Sequence, residues 1–143
     1  RQTPAGLVQA ACAHRTLQYL ELGYNPLGHA NVKQLIGVLA SALPQRQLHY
    51  LGLGTLGWEE DVALTALFCA LLPQFAPHLY ELVVECNNLA LPSVQRIAQL
   101  YLDGELPDLQ HLDLGDNLAT KAETVELGAQ LASLASVCLC CGF

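Results

Sequence analysis

The chain has 143 residues, 52% hydrophobic and 13% charged, with a net charge of −7 and a mean hydropathy of +0.33. That length suits one domain with a buried core, and that apolar content excludes a disordered chain. Six Lys+Arg against thirteen Asp+Glu provide no basic stripe for a nucleic-acid backbone, and no apolar run reaches the ~18 residues of a membrane span.

Residues 1–16, RQTPAGLVQAACAHRT, lack a signal-peptide pattern, because the apolar stretch is short and His14 and Arg15 follow it. AGLVQAACAHRT reads as a helix. From Leu17 comes LQYLEL, and the pattern returns as LHYLGL from Leu48, LYELVV from Leu79 and LQHLDL from Leu109, at intervals of 31, 31 and 30 residues. Within each unit apolar residues recur at offsets zero, three and five: Leu17/Leu20/Leu22, Leu48/Leu51/Leu53, Leu79/Leu82/Val84 and Leu109/Leu112/Leu114. The alternation between offsets three and five predicts a short strand with those side chains inward. Offset eight holds Asn25, Asn87 and Asn117, whose amides are suited to bond backbone groups where the chain turns off each strand. The second unit breaks this rule with Leu56, one place after Thr55.

A helix is predicted after each strand. Val32, Leu35, Leu39 and Leu43 mark the first, closed by Pro44; Leu64, Leu67 and Leu71 mark the second, ahead of Pro73. Val94, Ile97 and Leu100/Tyr101 precede Pro107, and Val125, Leu127 and Leu131 repeat the face in the fourth unit. Leu134, Val137 and Leu139 restore the zero, three, five spacing and predict a short fifth strand. The organisation expected is therefore residues 1–16 as the helix of an incomplete preceding repeat, residues 17–134 as four repeats starting at 17, 48, 79 and 109, and residues 135–143 as a partial terminal repeat or tail. Neither end reads as the polar cap a solenoid requires, so a longer parent chain or covering partners are expected.

The pattern L-x-x-L-x-L-x-x-N-x-L and a unit long enough for a full helix resemble the leucine-rich repeat family, specifically its ribonuclease-inhibitor-like class. These units are slightly longer than is usual in that class. The resemblance covers residues 17–134 and implies an α/β solenoid, with a curved parallel sheet on the concave side and helices on the convex side.

In such a solenoid offsets one, two, four, six and seven face the concavity. They are Gln18, Tyr19, Glu21, Gly23 and Tyr24; His49, Tyr50, Gly52, Gly54 and Thr55; Tyr80, Glu81, Val83, Glu85 and Cys86; and Gln110, His111, Asp113, Gly115 and Asp116. Four of the five tyrosines and five carboxylates fall in this set, with no lysine or arginine. Tyrosines supply large, low-entropy contact area, and unopposed carboxylates attract a basic partner and speed its association. The candidate partner-binding residues are Tyr19, Glu21, Tyr24, His49, Tyr50, Tyr80, Glu81, Glu85, His111, Asp113 and Asp116. The competing reading is a solvated surface that keeps an apolar solenoid soluble. Ribonuclease inhibitor holds a basic partner on a comparable side, so the resemblance favours binding.

Other motifs give no chemistry. GLGTLG at 52–57 matches a dinucleotide fingerprint, but Leu51 and Leu53 occupy core slots and Gly54 aligns with Gly23 and Gly115. The histidines lack metal-ligand spacing, so no metal or cofactor is expected. Glu81 and His111 share an offset on neighbouring strands and are placed to form a surface ion pair. Glu59, Glu60 and Asp61 read as a helix N-terminus. Trp58 reads as a plug of the strand-to-helix corner or as a rim anchor. Cys12, Cys69 and Cys86 are expected as buried thiols, and CLCC at 138–141 as a buried strand or tail; such cysteines suit a reducing, cytoplasmic location. The expected function is a non-enzymatic protein-binding scaffold with a basic partner. The alternatives are a structural solenoid in a cytoskeletal, ciliary or ribonucleoprotein assembly, or the regulatory repeat domain of a larger protein.

Overall fold

The structure, a computed structural model, describes residues 3–139. Helices and strands alternate as α1 (Pro4–Cys12), β1 (Tyr19–Glu21), α2 (His29–Ser41), β2 (Tyr50–Gly52), α3 (Val62–Phe75), β3 (Glu81–Val83), α4 (Leu91–Leu102), β4 (His111–Asp113), α5 (Lys121–Gln130) and β5 (Ser136–Cys138). The strands form one parallel sheet in chain order, and each helix packs on the next. This is an α/β leucine-rich-repeat solenoid.

The register follows from the apolar spacing. Leu20, Leu51, Leu82, Leu112 and Val137 pair in one row across the sheet. Leu48, Leu79 and Leu109 on one side, with Leu53, Val84 and Leu114 on the other, are buried between sheet and helices. A fully buried leucine contributes roughly 1.5–3 kcal/mol relative to an exposed one, so a one-residue slip, which would turn each column outward, is heavily disfavoured. Leu17 and Leu22 are only half-buried, because among the described residues no strand lies beyond β1.

Three residues past the end of each of β1 to β4 stands a left-handed residue: Tyr24 (φ 63°), Thr55 (54°), Cys86 (54°) and Asp116 (52°). The bend frees backbone groups that the next residue answers where it is asparagine. Asn87 is buried and donates to the Leu53 carbonyl of the preceding repeat at 2.8 Å and to Glu85 O at 3.1 Å, while its oxygen accepts from Leu56 N at 2.9 Å. Asn117 is also buried; it accepts from Asn87 N at 2.9 Å and Leu89 N at 3.0 Å and donates to Leu114 O at 2.9 Å. Asn25 is exposed and donates only within its own repeat, to Leu22 O and Gly23 O. Leu56 is buried apolar surface instead, so no asparagine ties the second repeat to the first.

The helices depart from the sequence expectation at four residues. Pro73 does not close its helix, because α3 continues to Phe75. Proline removes one amide donor, but burial of Leu71, Leu72 and Phe75 holds the last turn. Leu43 lies beyond the end of α2 and is exposed, as are Leu67 and Val125. Their places in the core are taken by Ile36, Phe68 and Thr124. Val125 sits about 100° round the helix from Thr124, on the solvent side.

Trp58 is fully buried and meets Phe68 edge-on with ring centroids 5.0 Å apart, plugging the corner between β2 and α3. The acidic run that follows joins repeats. Asp61 caps α3 by accepting from Leu64 N at 3.0 Å, and its other oxygen meets His29 Nε2 at 2.9 Å. The Leu64 amide, with His29 second, holds the Asp61 carboxyl below its ordinary value. Helix α4 has Ala90 as its N-cap, which offers no side-chain oxygen. Glu60 supplies one from the preceding repeat, accepting from Ala90 N at 2.7 Å and Ser93 Oγ at 2.9 Å.

Candidate partner-binding face

The concave face is built around the glycines of β2 and its exit. A Cβ on Gly52 would collide with the Glu21 carboxylate, and one on Gly54 would lie 2.9 Å from Glu85 Cγ. Without those side chains β2 is a trough, over which Glu21 leans from one side and Glu85 from the other. Glu21 accepts from Tyr50 Oη at 2.5 Å and from Gly23 N at 2.8 Å. Tyr24, swung inward by its left-handed backbone, spans the second repeat and donates its hydroxyl to Glu85 at 3.0 Å. Tyr19 and Tyr50 stack with centroids 4.2 Å apart and planes 6° from parallel. The first three repeats thus share one network of aromatic rings and carboxylates.

Its electrostatics follow from crowding of like charge. Burial, then the hydrogen bond to Glu21, pushes the Tyr50 phenol well above the ordinary range. The hydrogen bond to Glu85 and its charge push Tyr24 up as well. The Glu85 carboxyl is itself raised, chiefly by desolvation against the opposing bond from Tyr24, with Asp113 and Asp116 adding repulsion. Among the described residues none of these carboxylates pairs with a lysine or arginine; the ion pairs formed there are His29–Asp61 and His78–Asp108. At neutral pH the face offers neutral phenols and acceptor oxygens, an arrangement suited to ammonium and guanidinium groups.

Of the sequence-derived candidates, Tyr19, Glu21, Tyr24, His49, Tyr80 and Asp116 are exposed, and Tyr50, Glu81, Glu85, His111 and Asp113 are half-buried. Tyr24 is 72% exposed, Tyr19 61% and Tyr80 47%. The network joins Tyr19, Glu21, Tyr24, Tyr50 and Glu85. Tyr80 and His111 form a second pair, edge-on at 5.1 Å.

Two expectations are corrected. His111 does not pair with Glu81, although the two face each other in register; its Nδ1 lies 2.7 Å from Ser136 Oγ, a partner supplied by β5. Cys86 is exposed, because it stands at the left-handed turn position past β3, the place that the exposed Tyr24 and Asp116 hold in their own repeats. Cys12 and Cys69 are buried thiols, and burial pushes Cys69 up to about 12. In CLCC, Cys138 is exposed and Leu139 buried, whereas Cys140 and Cys141 lie outside the described residues.

The residues missed from sequence are Gly52 and Gly54 as makers of the trough. Their signal was present as two glycines at outward positions of one strand. No grouping of three or more His, Cys, Asp or Glu that could hold a metal occurs among the described residues, and no helix is long and apolar enough to cross a membrane.

No protein-family model matches the sequence, and no curated protein matches it. Among solved structures, the fold is similar to that of Leiomodin-1 Actin-Binding Site 2, with a TM-score of 0.72 over 100% of this chain and 82% of that one, at 9% sequence identity. At that identity the likeness carries the fold alone, and the fold it carries is the leucine-rich-repeat type with a parallel sheet.

Proposed function

We propose that this chain is a non-enzymatic protein-interaction domain that binds a basic protein surface through its concave face. The observation that supports this most is the shared network: the exposed Tyr24 and half-buried Tyr50, hydrogen-bonded to carboxylates that meet no lysine or arginine among the described residues. Its rings are held in place before any partner arrives, which lowers the ordering cost of binding. The likeness to a structure named for an actin-binding site favours a protein as the ligand class. The free buried Cys12 and Cys69 agree with a reducing, intracellular location. Full α-helices of 10 to 14 residues after β1, β2, β3 and β4 favour the ribonuclease-inhibitor-like class.

The test is a panel of lysine- and arginine-rich peptides scored by titration calorimetry. Tyr50→Ala and Tyr80→Ala should each weaken the best binder by about 1–3 kcal/mol, and affinity should fall with salt. Unchanged affinity in both variants would reject the concave face as the site. A second reading, a structural segment of a larger assembly, is favoured by Val62, Leu67 and Val125, apolar residues exposed on the convex helices. Substituting these with serine would then disrupt assembly while leaving peptide binding intact.

A further inference from the structure

The sheet is open at β1. In every later strand the residue two places after the leading leucine donates its amide to the strand before. The residue four places after it accepts from that strand through its carbonyl. Thus Tyr50 N reaches Gln18 O at 3.3 Å, and Gly52 O takes Leu22 N at 2.8 Å. Tyr19 N and Glu21 O hold those places in β1, and no strand precedes it among the described residues. The side-chain oxygens of Asn87 and Asn117 likewise accept backbone amides of the preceding repeat, whereas that of Asn25 accepts none among the described residues. Asn25 lines an apolar cavity of about 310 Å³ whose walls include Leu7 and Val8 of α1 with Leu22, Leu27 and Leu35. Leu7 is 56% exposed. Helix α1 packs on α2 as the later helices pack on one another, yet among the described residues no strand leads into it.

We propose that this edge takes β5 of a second copy as a parallel strand, so that copies join head to tail. β5 is the converse of α1: a strand that no helix follows among the described residues. Its Leu134, Val137 and Leu139 keep the zero, three, five spacing of the other strands. Val137 already continues the row of Leu20, Leu51, Leu82 and Leu112, and beside the next copy's Leu20 it carries that row across the junction. In the same register Tyr19 N meets Ala135 O, and Glu21 O meets Leu139 N. Leu139 then stands beside Leu22 at the cavity, and α1 supplies the helix that β5 lacks. The outward side chains brought together are Ala135 with Gln18, Ser136 with Tyr19 and Cys138 with Glu21, so no like charges meet. Parallel pairing is the sense of every other junction in the sheet. Strand addition at an open edge draws its energy from such backbone bonds, with pockets for alternate side chains. A contact between unlike ends does not close on itself, so dimers extend to longer chains as concentration rises. The concave face stays open throughout, and this proposal does not rest on its partner.

The test uses the full chain under reducing conditions. Sedimentation between ~10 μM and ~1 mM, the range of a modest interface, should show the mass rising from the 15.4 kDa of one copy. Leu7→Lys, at an exposed wall of the cavity, should weaken self-association about tenfold or more, while Leu7→Met stays within about threefold. Far-UV circular dichroism checks that both variants keep the fold. Cross-linking decides the geometry even if Leu7→Lys unfolds. In a background with Cys86, Cys138, Cys140 and Cys141 changed to serine, one sample carries Gln18→Cys and another Ala135→Cys. Adjacent strands lie ~4.8 Å apart, so a short bis-maleimide spans the two positions. It should join the two proteins when they are mixed and leave each alone uncrosslinked, because a head-to-tail junction sets position 18 beside position 135. A mass that stays at one copy throughout would overturn the proposal. So would association unaffected by Leu7→Lys, or cross-linking within either sample alone, the mark of a symmetric pairing of like edges.

Discussion

Replacing Asn87 by alanine tests the physical account of how the repeats are joined. The substitution removes a buried amide that bridges two repeats through Leu53 O at 2.8 Å and Leu56 N at 2.9 Å. Both backbone groups would be left without that partner in a dry interior, at about 1–3 kcal/mol each. The expected loss is therefore about 2–6 kcal/mol, a large share of the roughly 5–15 kcal/mol that holds a domain folded. Asn25→Ala is the internal control. Its amide is exposed and bonds only its own repeat, so water replaces it and the loss should stay below about 1 kcal/mol. Urea unfolding followed by far-UV circular dichroism reads the difference. With a slope of about 2 kcal/mol per molar, the Asn87→Ala midpoint should fall by about 1–3 M and the Asn25→Ala midpoint by less than about 0.5 M. Asn87→Asp separates hydrogen bonding from volume, because it keeps the shape but loses the donor and brings charge against carbonyls. It should be at least as harmful as alanine. Equal midpoints for Asn87→Ala and Asn25→Ala, or recovery in Asn87→Asp, would refute the reasoning.

Five further outcomes are expected. Gly52→Ala should displace the flexible Glu21 carboxylate at a stability cost below about 1 kcal/mol, and spectrophotometric titration should then show Tyr50 ionising closer to the ordinary phenol range. In the unchanged protein the neutral Tyr50 phenol favours the fold, so that contribution is complete below about pH 10 and is lost as the pH rises through its folded value. Because Glu85 is raised, it gains a proton above the ordinary glutamate range. Its contribution to folding improves as the pH falls toward the ordinary glutamate range, while affinity for a basic peptide declines; Glu85→Gln should remove that part of the decline. With Cys138, Cys140 and Cys141 changed to serine, a thiol reagent should label Cys86 quickly and leave Cys12 and Cys69 unlabelled until urea is added. Glu60→Ala should destabilise the chain by about 1 kcal/mol, seen as faster amide exchange at Ala90.

The repeat was legible because spacing encodes it. Leu20, Leu51, Leu82 and Leu112 stand at the same offset in their units, and they are the residues the sheet sets in register. The alternation that puts leucine inward puts tyrosine and glutamate outward, which is why the concave residues could be enumerated. Their mutual contacts could not. Tyr24 reaches Glu85 across 61 residues of sequence because two glycines leave the second repeat low between them. Periodicity lists positions but does not describe an empty space. Cys86 shows two rules in conflict: thiols favour burial, but its place in the repeat turns outward, and backbone geometry decided. Leu67 and Val125 failed for the opposite reason. Three- and four-residue steps mark a helical face too broadly, and only the width of the sheet beneath decides which flank stays dry.

The missing asparagine at position 56 gives the solenoid a direction in which it yields to force. Pulled from its ends, the chain meets amide-bridged seams between the second and third and between the third and fourth repeats, but none between the first and second. That first seam is held instead by Tyr50 to Glu21 and by His29 to Asp61, while Tyr24 reaches past it to Glu85 in the third repeat. A partner that draws Glu21 and Glu85 onto its own cations unfastens the concave bonds and leaves His29–Asp61 as the side-chain tie across that seam, so the first repeat becomes easier to peel away under load while the partner is bound.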